Sequence, residues 1–168
     1  MGWRDDDFGR SEREYLPRAF ELLFGREFNY QELRDRRLMQ EAMMIAQCRG
    51  VSIGEYSWSR YKVGVYSQGL QDDLYENYKG VEKKKHLPDE WVMTLGCIRG
   101  ILRWGEDKYG LDEWAKCLSD VWYVYDCRMC NPLVKEKVVN EVKELVEDCP
   151  SDEMLEDAFD CCEKLENA

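Results

Sequence analysis

Between residues 38 and 78 the hydrophobic period of the chain changes twice, and that change restricts the folds open to it. In LMQEAMMIAQCRG (38–50), Leu38, Ala42, Ile45 and Ala46 recur at helical spacing with Met39 and Met43 beside them. Gly50 stands where a left-handed residue would end such a helix. YSWSRYKVGVYSQGL (56–70) then turns to aromatic and β-branched residues, Trp58, Tyr61, Val63, Val65 and Tyr66, which suit a pleated, half-buried surface. Gly64, in their midst, fits a tight turn or bulge between two short strands. Ser67 is placed to cap a further helix that carries Leu70, Leu74 and Tyr78 on one stripe and ends at Gly80. Helix, β-ribbon, helix is the build of a winged-helix-like unit, which the pattern assigns to residues 30–86.

The flanks are helical. Tyr15, Phe20, Leu23 and Phe24 suggest a short helix that begins around Pro17, and Asn29 with Glu32 has the spacing of a capping box, predicting a helix start near residue 30. Asp72 and Asp73 lie early in the helix after the ribbon, where acids favour its dipole. Further on, Pro88-Asp89 opens a helix with Trp91, Leu95, Ile98 and Leu102 on one face, interrupted at Gly105 and Gly110. Leu111, Trp114, Ala115, Leu118, Val121, Trp122 and Tyr125 form the cleanest amphipathic stripe. Asn131-Pro132 predicts the start of a helix carrying Leu133, Val138, Val142 and Leu145, and Pro150-Ser151 the start of the last. The expected fold class is mainly α (α+β): a winged-helix-like unit with a two- or three-stranded β-ribbon, and a C-terminal helical lobe over 88–168. No Gly/Ser or Pro-rich linker divides the two, so residues 1–168 are expected to share one core as a single domain.

A chain of 168 residues buries a core without metals or disulfides, and no apolar run approaches the ~20 residues that span a bilayer. MGWRDDDFGR lacks an apolar signal segment, so a cytoplasmic location is expected and no membrane partner. The eight cysteines then read as free thiols acting as small hydrophobes. The alternative is that Cys127 and Cys130, two residues apart, hold half a zinc site completed by Cys161 and Cys162. One CxxC is weak evidence, and no cofactor or metal is assigned. The net charge of −11 is polarised: residues 132–168 carry twelve acids against four lysines, whereas 34–86 carries ten Lys/Arg against seven acids. A nucleic-acid binder needs a basic excess to displace counterions from phosphates. Any such face here would be local, and the acidic tail suits a basic partner.

Catalytic constellations are missing from the sequence. The single histidine, His86, follows three lysines in a loop, and there is no GxSxG elbow, Walker-type loop, GxGxxG or HExxH. The expectation is a protein that is not an enzyme.

Leu38-Met39-Gln40 through Gln47, then Gly50, Tyr56-Ser57-Trp58, the run Tyr61 to Ser67, and Leu70 with Asp72-Asp73-Leu74 resemble the YwgA-like proteins and, more distantly, the Panacea (SocA-type) antitoxin domain. Those families carry an LQK-type helix, a strand ending in YGPYS and a DDL helix; here Val65 replaces the proline and Val63 the tyrosine. The resemblance covers about forty residues. It implies a mostly helical protein of bacterial or phage conflict systems that neutralises a partner by contact. With the missing catalytic set and the acidic lobe, it predicts a non-enzymatic protein-binding inhibitor, antitoxin-like or anti-defence, acting on an effector such as a nuclease or toxin. The expected partner-binding residues are Trp58, Arg60, Tyr61, Lys62 and Tyr66, because aromatic and arginine side chains dominate interface energy. The alternative is a winged-helix DNA-binding regulator, with Arg34, Arg36, Arg37, Lys83, Lys84 and Lys85 on phosphates.

Overall fold

Helix ends follow local chemistry at most positions of the computed structural model, which describes residues 12–61, 64–79, 86–126 and 133–168. Pro17 lies in the first turn of α1 (Leu16–Phe24), where its missing N–H costs nothing. The next helix, α2 (Leu33–Cys48), is followed by Gly50 at φ 99°, as its position predicts. It starts at Leu33 rather than near residue 30. Asn29 makes a turn instead of a cap, its Oδ1 accepting from Gln31 N at 3.0 Å while its own N–H donates to Asp35 at 2.8 Å. Asp35 organises this entry, accepting also from both terminal nitrogens of Arg26 at 2.5 and 2.8 Å. Burial opposes its ionisation, but the bonds from Arg26 and Asn29 prevail and hold its carboxyl below the usual range.

Strands β1 (Ser59–Tyr61) and β2 (Gly64–Tyr66) pair antiparallel, Ser59 opposite Tyr66, Arg60 opposite Val65 and Tyr61 opposite Gly64. Gly64, at φ 125°, sits at the ribbon tip in a conformation that side chains disfavour. Ser67 Oγ accepts from Leu70 N at 3.4 Å and starts α3 (Gln68–Lys79).

Among the described residues the second half holds α4 (Asp89–Tyr109), α5 (Leu111–Asp126), α6 (Lys135–Leu145) and α7 (Asp152–Glu166). Gly105 does not interrupt α4, which runs through it to Tyr109. The glycine is there for space: a Cβ at this position would fall 2.0 Å from the Trp114 ring. Gly110, at φ 86°, is what separates α4 from α5. The start predicted at Asn131-Pro132 lies outside the described residues; Val134 is extended and α6 begins at Lys135. Ser151 caps α7, accepting from Met154 N at 3.2 Å.

The molecule is mainly helical with one small antiparallel ribbon. Helix α5 is its axis, packing on α7, α2 and α4 and touching α6 and β2. Trp114, Leu118, Val121, Trp122 and Val124 are all buried, as befits a helix covered on nearly every side. One continuous cluster of buried side chains joins α1, α2 and the ribbon to α4 through α7, and includes Met39, Met43 and Met44.

Candidate functional site

Helix α2 positions the ribbon through two glutamines. Gln40 donates to Ser67 O at 3.0 Å and accepts from Ser67 N at 2.8 Å, satisfying its buried amide on both sides. Gln47 donates to Tyr56 O at 3.0 Å and accepts from Trp58 Nε1 at 3.2 Å. The two bonded pairs clamp the ribbon's approach and exit against α2, which fixes what the ribbon presents outward.

The expected ribbon residues divide. Arg60 turns inward: its Nε donates to Asp120 at 3.0 Å and its NH1 to the carbonyls of Tyr61 and Leu145 at 3.2 and 3.1 Å. Trp58 is half-buried against Tyr56. Tyr61 is 56% exposed and its ring lies edge-on to Tyr66 at 6.0 Å. Tyr66 OH donates to Gln68 Oε1 at 3.1 Å, and burial together with Asp72 raises its phenol above the ordinary value, keeping it a donor. Lys62 lies outside the described residues, as do Lys83, Lys84, Lys85, Cys127 and Cys130.

Sequence reading missed the continuation of this surface. Tyr30 and Tyr75 lie at 5.6 Å, and Tyr30 OH accepts from Gln71 at 3.2 Å. Arg36 donates to Tyr30 O at 2.6 Å and lies over its ring. Gln71, Arg36, Arg37, Leu33 and Tyr66 then line a cavity of about 260 Å³ between α2, β2 and α3. The result is a face of Tyr30, Tyr61, Tyr66 and Tyr75 with exposed Leu33 and arginines at its edge. The tyrosines are scattered over forty-odd positions, so only the fold assembles them.

A second cavity, about 550 Å³, opens on the other side of Arg37 between α2 and α5, with Asp112, Glu113, Lys116 and Asp148 in its walls. Arg34 is tied to Asp112 at 2.7 Å there, and Lys116 to Asp120 at 2.9 Å. Arg37 makes no hydrogen bond or ion pair among the described residues. Glu41 belongs to both cavities. Burial, then the charge of Asp120, pushes its carboxyl up to about 8, with Lys116 and Arg37 only partly opposing. The signal that marks Glu41 in the sequence is its place on the apolar stripe three residues after Leu38.

Cys161 and Cys162 are buried in α7 with thiols raised by burial, Cys161 to about 11. Among the described residues no group of His, Cys, Asp and Glu is arranged to hold a metal. His86 is exposed. No described helix is long and apolar enough to cross a membrane. No protein-family model matches this chain, and no curated protein or solved structure matches it.

Proposed function

We propose that this chain is a non-enzymatic protein-binding inhibitor, antitoxin-like or anti-defence, that neutralises an effector such as a nuclease or toxin by direct contact. The observation that carries the reading is the tyrosine face at the ribbon. Tyrosine supplies large, rigid contact area at small entropic cost, and tyrosine with arginine is the usual composition of interface hot spots. The YwgA-like and Panacea-like motif falls on the same helix–ribbon–helix segment and is in keeping with this reading. The DNA-binding alternative draws less support. Arg34 and Arg36 are engaged within the chain, and the cavity that Arg34 and Arg37 line is walled also by Asp112, Glu113 and Asp148.

The test is capture of partners from nuclease-treated host lysate by tagged wild type and by Tyr61→Ala. A protein held by the wild type and lost about tenfold or more in Tyr61→Ala supports the reading, a loss of the size expected at a hot spot. Retention that vanishes on nuclease treatment would transfer the assignment to the regulator.

A further inference from the structure

Neighbouring polar residues on α2 are treated in opposite ways. Gln40 has both ends of its amide satisfied, whereas Glu41, 5% exposed, makes no hydrogen bond among the described residues. Its oxygens are not among the fully enclosed side-chain atoms that lack a partner, so solvent still reaches the carboxyl, while burial of most of the side chain makes its ionisation costly. The groups around it explain why it stays unmatched. Lys116 and Arg60 both direct their charge to Asp120. Asp112 is held by Arg34, and Arg37, a turn earlier on α2, lies exposed toward solvent. From β2, Gly64 comes close to the carboxyl without bonding it: a Cβ built there would lie 4.0 Å from Glu41 Oε2, at van der Waals contact. With Arg34 and Lys116 turned to Asp112 and Asp120, the charges left in the wall of the larger cavity are Glu113 and Asp148 against Arg37, a net negative balance in a chain that carries −11. That combination favours a cation and repels an anion.

We propose that the larger cavity receives a lysine or arginine side chain of a protein partner, whose cationic head pairs with the Glu41 carboxylate. This rests on the protein-binding reading and specifies its anchor beside the tyrosine face. In the free protein the carboxyl keeps its proton up to about pH 8. Pairing therefore sends that proton to solvent while the cation keeps its own, so affinity rises with pH until the carboxyl is already ionised.

Side-chain analogues test the cavity without any partner. Butylammonium and butylguanidinium are titrated into the full chain, and the methyl resonances of Leu33 and Leu38, which line the larger cavity, are followed at about pH 7 and about pH 9. Saturable shifts are expected, with binding about tenfold tighter at the higher pH, because the ionised fraction of a group titrating near 8 rises by about that factor. Glu41→Gln should lose the binding and its pH dependence, and neutral butanol should not reproduce it. The proposal is overturned if the cations do not saturate at the higher pH, if butanol binds equally, or if Glu41→Gln binds as the wild type does. Should that variant fold poorly, the pH contrast and the butanol control in the wild type decide. Failure of the analogues leaves the Tyr61→Ala capture result standing, and loss of the protein-binding reading leaves the analogue result standing, so the two are separable.

Discussion

Glu41 acts against the fold that contains it. Its carboxyl is raised from 4.5 to about 8, first by burial and then by Asp120. Between those values the native chain holds a proton that the unfolded chain releases, so the group subtracts stability as pH rises through that window. Below about 4.5 both states are protonated and the penalty is absent; above about 8 it is complete. Glu41→Gln, which cannot ionise, should be near neutral at about pH 4 and stabilising by on the order of 5 kcal/mol at about pH 9. Urea unfolding of both proteins at the two pH values reads this directly. An equal difference at both would mean that Glu41 titrates normally. A carboxyl that subtracts stability in this way is the pattern expected of a binding group.

At the scale of elements, caps and periods carried the reading where the decisive contacts are local, and failed where they are not. Ser67 and Ser151 cap the helices that they precede, and Gly50 stands at a left-handed turn after α2. Asn29 had the right spacing for a cap, yet Asp35, six residues on, captures its N–H and displaces the helix start. Gly105 shows the same limit more sharply. In sequence a glycine within a helical stretch reads as an interruption; here it is the hollow into which Trp114 of the next helix packs, its Nε1 donating to Ile101 O at 3.1 Å. Gly105→Ala would therefore gain helix propensity and still lose stability, because the added methyl meets a rigid buried ring. A net loss of about 3 kcal/mol is expected in urea unfolding. Stabilisation by the alanine would show that α4 and α5 separate freely at this point.

Across the whole molecule, the ribbon is secured to the helical half by Arg60. It reaches Asp120 on α5 and the Leu145 carbonyl at the end of α6, so a single side chain joins three segments well separated in the chain. Such a tie is invisible in one sequence, where Arg60 reads as an exposed ribbon arginine and Asp120 as one acid among many. The same fact changes how the ribbon must be probed. Replacing Arg60 would loosen the platform that presents Tyr61, so lost partner binding in such a variant would report structure and contact together; Tyr61→Ala avoids this because its side chain is largely outside the core. The strength of the tie is measurable. The Arg60 side chain is 9% exposed and that of Asp120 3%, so Asp120→Ala leaves a buried guanidinium without its counter-charge. That change should cost about 3–5 kcal/mol in urea unfolding. Arg60→Met with Asp120→Leu should cost clearly less than the two single changes added together, because removing both charges abolishes the unpaired state that makes each single change severe. A cost below about 1 kcal/mol for Asp120→Ala would place the pair with ordinary surface ion pairs and leave the orientation of the ribbon to the two glutamines of α2.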